Sequence, residues 1–245
     1  MLSSKIILLA VFLLFFVGML GVTVTPAFAQ QKEIPFNWDP KFASPGASLS
    51  IDVIQTMEGP PNGTVMVLIK ANGFSQASET FFSWWKRSGE YYKLEVALGA
   101  DGTVRFFGLT RDTLMLGGYL RGQAFDIAVV DEATDRRAHA KIIPFPITAE
   151  SNGGCMGNVE IITKTGRVWL ITLSGFGAGE TVSVTSVQKK KTLKSHPVAS
   201  EAGEIEFPII YPKRAKGKAQ VIAEGSLGCN LTLEFAIGKS ALKAK

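Results

Sequence analysis

Ala100-Asp101-Gly102-Thr103-Val104-Arg105-Phe106 is echoed later in the chain by Glu201-Ala202-Gly203-Glu204-Ile205-Glu206-Phe207, and that echo decides the fold. It extends in both directions. Upstream, Gly73-Phe74 follows an apolar run and precedes Glu79-Thr80; Gly175-Phe176 precedes Glu180-Thr181 in the same way. Downstream, Gly122 to Ile142 and Gly217 to Ile237 cover the same distance without a gap. Two copies of one all-β unit of roughly 100 residues account for this better than a single larger fold.

The local signal is alternation and turn punctuation, with no sustained helical period. Leu49, Ile51 and Val53 alternate with Ser48, Ser50 and Asp52 before Glu58-Gly59-Pro60-Pro61-Asn62-Gly63 breaks the chain ahead of Val65 to Ala71. Each copy yields about seven strands, A to G, at sandwich-like spacing. In the second copy they fall near 159–163, 168–174, 181–187, 195–199, 204–211, 219–224 and 231–237.

The end of copy one, with Gly122, Phe125, Ile127, Val129, Asp131, Ala138, Ala140 and Ile142, resembles the Ig-like modules of bacterial exported proteins. Copy two departs from the pattern: Glu224 stands where Val129 is matched, and Gly228-Cys229 replaces the turn. The resemblance implies two tandem Ig-like antiparallel β-sandwich domains with adhesion, scaffolding or binding roles, and it assigns no ligand. The expected division is an export segment at 1–29, an extension at 30–45, domains at 46–147 and 148–238, and a basic tail at 239–245.

The export segment reads directly. Lys5 precedes the apolar stretch 6–20, and Ala27-Phe28-Ala29 is a small-x-small cleavage signature placing the mature start at Gln30. The expected location is periplasmic or secreted; the alternative is a tether by an uncleaved signal anchor. No second apolar stretch is long enough to span a bilayer. Cys155 and Cys229 are the only cysteines. In an oxidising compartment such a pair is most simply a disulfide, and two unpaired thiols are the alternative. In the proposed topology the start of strand A and the F–G loop lie at one pole, which brings the two together at the junction between the copies. Two thiols without a histidine at ligand spacing cannot complete a zinc site, so neither metal nor cofactor is expected. Asn62-Gly63-Thr64 and Asn230-Leu231-Thr232 match the glycosylation sequon.

Charge divides unevenly. Residues 30–147 carry 12 Lys/Arg against 13 Asp/Glu, whereas residues 148–245 carry 13 Lys/Arg, 8 Glu and no Asp. The basic residues fall on three connections: Lys164 and Arg167; Lys189, Lys190, Lys191 and Lys194; Lys213, Arg214, Lys216 and Lys218. An Ig-like sandwich gathers these at one pole, expected to be the tip farthest from the first domain. Such a cluster focuses positive potential on an anionic partner, either an envelope surface polymer or lipid headgroups. The bland reading is solubility. No aromatics interleave with the lysines, which argues against nucleic acid.

Phe81-Phe82-Ser83-Trp84-Trp85 and Tyr91-Tyr92 flank Lys86-Arg87-Ser88-Gly89-Glu90 and read as a hairpin. Alternation turns Phe82 and Trp84 outward, with Tyr91 beside them, as a patch for another envelope protein or a sugar, or for packing against domain two or Pro144-Phe145-Pro146. Catalysis is not expected. His139 reads as a surface residue, and His196 lies among lysines, a poor setting for a general base. Asp126 and Asp131 are the nearest candidates for a carboxylate pair, and a carbohydrate-active hydrolase is the remote alternative.

Overall fold

The structure, a computed structural model, describes residues 43–57, 63–75, 78, 81–87, 90–107, 111–189 and 191–243. The expected export segment, most of the expected 30–45 extension, Asn62 of the first sequon, Glu79-Thr80, Lys190 and the last two residues lie outside these. The described chain is all-β, with several antiparallel sheets.

Eight strands fill the first half: β1 (Ser48–Met57), β2 (Thr64–Asn72), β3 (Phe81–Arg87), β4 (Glu90–Leu98), β5 (Val104–Phe106), β6 (Thr113–Gly117), β7 (Phe125–Asp131) and β8 (Arg136–Ile142). They form two sheets, in the orders β1-β2-β6 and β5-β4-β3-β7-β8. The second half holds β9 (Ile147–Glu150), β10 (Met156–Ile161), β11 (Val168–Ser174), β12 (Ser183–Gln188), β13 (Lys191–Ser195), β14 (Ile205–Ile210), β15 (Lys216–Glu224) and β16 (Asn230–Gly238). Its sheets run β14-β11-β10-β9 and β13-β12-β15-β16. A short 3-10 helix, Ala241–Lys243, follows.

Period-2 alternation sets which side chains enter each core. On β2, Val65, Val67, Ile69 and Ala71 are buried and the intervening residues half-covered. On β11, Trp169, Ile171 and Leu173 do the same. Burial of side chains this size stabilises by about 1.5–3 kcal/mol each. Two buried clusters result, and they share no residue: the first ends at Phe145 and the second begins at Ile147. Trp169 anchors the second, its ring 4.9 Å from Phe235 and its indole N–H donating to the Gly166 carbonyl.

The echoed segments 100–106 and 201–207 occupy equivalent turns. Ala71 N–H donates to Gly102 O, and Phe176 N–H donates to Gly203 O, so each turn docks on the end of its sheet's second strand. Beyond it the halves diverge. In the second, β14 pairs directly with β11. In the first, Thr103 bridges Lys70, β5 then crosses to β4, and only β6 returns to β2.

Three expectations are corrected here. Gly122–Ile142 and Gly217–Ile237 do not superpose without a gap. Ser83, buried opposite Val129, corresponds to Val184, buried opposite Ala223. Val129 then faces Ala138 on the next strand, while Ala223 faces Leu231. Ala223, not Glu224, is therefore the counterpart of Val129, and the path from Ala223 to Leu231 is one residue shorter than that from Val129 to Ala138. The strand expected at 195–199 lies at Lys191–Ser195 instead.

The third correction concerns polarity. β9 was not expected, and it pairs antiparallel with β10, Ile147 opposite Val159 and Glu150 opposite Met156. The chain thus enters the second half beside the end of β10, runs outward, turns at 151–155 and returns. Ile161 N–H donates to Gly122 O at 2.7 Å, Gly122 N–H donates to Phe145 O, and Gln123 forms a parallel bridge with Ile161. This seam lies at the opposite end of β10 from Cys155. The extra hairpin reverses the half, so the disulfide is remote from the junction and the lysine-rich connections lie beside it.

Candidate functional site

The three basic connections gather, though not at a distal tip. Arg167 and Tyr211 exchange bonds, Tyr211 N–H to Arg167 O at 2.8 Å and Arg167 Nε to Tyr211 O at 3.1 Å, which joins the β10–β11 turn to the β14–β15 connection. The β12–β13 turn meets the same connection across an open cleft of about 520 Å³ lined by Gln188, Lys189, Lys191, Pro212, Arg214, Ala215 and Lys216. No lining residue carries a negative charge. Lys189 holds a left-handed backbone, φ 52°, at the tip of the tight hairpin. Lys164, Lys194 and Lys213 are exposed around the cleft's end of the molecule. Lys218 is bound by Glu234, whose carboxyl is held below the usual range first by that lysine and then by Gln220.

The link to the first half is direct. Arg121 lines a cavity of about 290 Å³ with Ile147, Trp169, Lys218, Glu234 and Ala241. Lys141 on β8 pairs with Glu160 on β10 at 2.5 Å. Beside them Asp126 is half-buried, and burial pushes its carboxyl above the usual value against the pull of Lys141 and Lys86. Elsewhere in the first half the cations Lys93, Arg105 and Arg137 hold Glu132, Asp112 and Asp135.

Phe82 and Tyr91 share one outward face of the β3–β4 hairpin, since Phe82 pairs with Glu95 and Lys86 with Tyr91; the side chain of Trp84, expected beside them, lies outside the described part of the structure. The face is dressed with charge. Lys93 Nζ sits 3.7 Å over the Phe82 ring, and Lys86 Nζ lies 6.0 Å from that of Tyr91. Phe82 and Tyr91 are half-buried, and Val130, the partner of Phe82 on β7, is buried. Phe145 points into the first core instead of joining this face.

Cys155 and Cys229 form a disulfide, Cα to Cα 5.9 Å. Glu180 braces the loop carrying Cys229: Gly177 N–H donates to one carboxylate oxygen, Ser226 N–H and hydroxyl to the other. These bonds, Gly177 first, hold its carboxyl below the usual range. Asn230 of the second sequon is exposed next to this end.

His139 is not the free surface residue expected, because both its ring nitrogens are shielded from solvent; His196 is exposed. Asp126 and Asp131 cannot act as a pair. Five positions apart on β7, they face opposite sides of the sheet. Asp131 serves its turn, accepting from Ala133 N–H, Thr134 Oγ1 and Ser78 Oγ. Among the described residues no cluster of three His, Cys, Asp or Glu could hold a metal, and no helix is long and apolar enough to cross a membrane. Sequence reasoning missed the Lys141–Glu160 pair and the position of β13 at the end of its sheet. Both depend on which strands become neighbours.

The fold defines the class: an all-β module of stacked antiparallel sheets with one disulfide. No family model matches the chain, and no curated protein is significantly similar to it. Among solved structures it is similar to the three N-terminal domains of the highly immunogenic outer capsid protein (Hoc) of bacteriophage RB49, with 7% identity and a TM-score of 0.24. It is also similar to red sea bream transglutaminase, with 12% identity and a TM-score of 0.25. The matches cover 79% and 78% of this chain but only 58% and 31% of those chains. Likeness at this level carries no argument about function.

Proposed function

We propose that the protein is an exported, non-catalytic binding or structural module of the cell envelope, built from two Ig-like domains, that meets an anionic partner through the lysine-rich end of the second. The strand orders support the Ig-like reading. β10, β11 and β14 take the places of strands A, B and E, facing β13-β12-β15-β16 in the places of C′, C, F and G. The two separate buried clusters support the division into domains. The export segment and the disulfide are consistent with each other and with a periplasmic or secreted location.

The observation that carries the contact surface is the contrast in charge pairing. In the first half Lys93, Arg105, Arg137 and Lys141 hold carboxylates, whereas the cleft between the β12–β13 turn and the β14–β15 connection presents Lys189, Lys191, Arg214 and Lys216 with no acidic lining residue. Its position beside the junction means that a partner held there also lies close to the first domain. The test is retention on heparin and on phosphatidylglycerol vesicles along a salt gradient. Salt-dependent retention that Lys189→Glu/Lys191→Glu/Lys216→Glu abolishes supports the reading. Retention insensitive to salt, or unchanged by the three substitutions, refutes it.

A further inference from the structure

Strand β13 ends its sheet, and all five of its residues are exposed. Among the described residues its only strand partner is β12, in register from Val184–Ser195 to Gln188–Lys191. Hydrogen-bonded and non-hydrogen-bonded pairs alternate along an antiparallel ladder, and the pair closing a two-residue hairpin is hydrogen-bonded. Gln188 and Lys191 are that closing pair, so Thr192 and Lys194 turn their backbone N–H and C=O away from β12. A row of this kind is a template for a further strand.

The first half uses the same edge. Arg87–Glu90 closes the β3–β4 hairpin with the same two-residue spacing, and a little farther along β4 accepts β5 antiparallel at Val96, Ala97 and Leu98. In the second half the counterpart of β5 pairs with β11, so that among the described residues no strand lies beyond β13 on the outer edge. Side chains then select the occupant. Lys191 and Lys194 stand on the strand, with Lys189 and Lys216 beside its start, while Leu193 is 72% exposed between them. Lysines on an edge repel a second copy of the same strand and admit one of opposite charge.

We propose that β13 accepts an extended acidic segment of a partner protein as an added antiparallel strand, its carboxylates meeting Lys191 and Lys194 and an apolar side chain lying beside Leu193. Five residues of β13 offer about 16 Å of edge. The proposal rests on the reading of the lysine-rich end as the contact surface and names its partner.

The test uses the disulfide-intact chain and three probes: a fluorescent peptide, acetyl-Thr-Glu-Val-Thr-Glu-Val-Thr-amide, whose two glutamates fall opposite Lys194 and Lys191 on the two faces of the strand with a valine opposite Leu193; its analogues N-methylated on each alternate set of amides; and labelled polyphosphate. Thr192→Pro removes an outward N–H and blocks strand addition while keeping every charge and every β12 bond. The expected result is salt-dependent peptide binding that falls about tenfold or more with Thr192→Pro and with one methylated analogue, since each lost backbone bond weakens an extended contact. The methylated analogues on the unmodified protein give the same answer should Thr192→Pro perturb the hairpin. Equal binding of methylated and unmethylated peptides overturns the added strand. Polyphosphate bound without the peptide also overturns it and leaves the basic contact surface standing. Failure of both probes removes both.

Discussion

Gly122 is where the two halves touch through backbone, and replacing it with alanine tests that seam. It adopts φ +76°, and a Cβ there would lie 2.8 Å from Val159 O, 3.1 Å from Ile147 Cδ1 and 3.3 Å from Trp169 Cζ3. The first of these is a strand carbonyl, held by pairing, and cannot swing aside as a side-chain tip can. Two costs therefore add. The left-handed backbone costs alanine about 1–2 kcal/mol, partly offset by about 0.4–1 kcal/mol from a stiffer unfolded chain. Overpacking costs about 1–3 kcal/mol more. Gly154 isolates the first cost, because it has φ +78° and nothing within 4 Å of its would-be Cβ. Gly122→Ala is expected to lose about 3 kcal/mol in all, a fall in Tm of roughly 6–12 °C for a chain this size, and Gly154→Ala about 1 kcal/mol or less. Denaturant unfolding followed by circular dichroism gives the energies, and exchange of the Ile161 amide, bonded to Gly122 O, reports the seam itself. Equal losses for the two variants, with Ile161 protection unchanged, would refute the packing at the seam.

Two further outcomes follow from the electrostatics and the covalent link. Burial raises the Asp126 carboxyl in the folded protein above its ordinary 3.8, so the ionised form weakens the fold at neutral pH, and the penalty fades as pH falls through that raised value toward 3.8. Asp126→Asn should therefore raise Tm at pH 7 with the gain gone below about pH 3.8; a loss at pH 7 would mean that the pull of Lys141 and Lys86 outweighs burial. Cys155→Ser/Cys229→Ser removes a link spanning a sequence separation of 74. The cost is about 4 kcal/mol in the chain-entropy account, and it should fall on the second core while amide protection of Val65, Val67 and Ile69 in the first stays intact.

Much of the fold was legible because alternation and turns are local. The β11 span, the β3–β4 hairpin and the paired turns at Gly102 and Gly203 all follow from residue pattern. What failed was what a period of two cannot see. A two-residue slip on the last strand keeps every side chain on its face, so Ala138 and Leu231 were not recognised as equivalent. A one-residue slip on the preceding strand does flip faces, and it left its mark: a glutamate, Glu224, aligned with the buried Val129. β9 is four residues long, with Ile147 as its single buried member, too short to show a period. Yet it reverses the polarity of the second half, and the whole placement of the basic end turns on it. The clustering of the lysines was readable from three connections; their position beside the junction was not.

That position is the claim on which the functional account depends, and zero-length carbodiimide cross-linking with peptide mapping tests it most directly. Lys141 and Glu160, one from each half, lie at 2.5 Å, as do Lys218 and Glu234 within the second half. The account predicts both cross-links in the same sample. Lys218–Glu234 formed without Lys141–Glu160 would contradict it and return the lysine-rich end to the far tip.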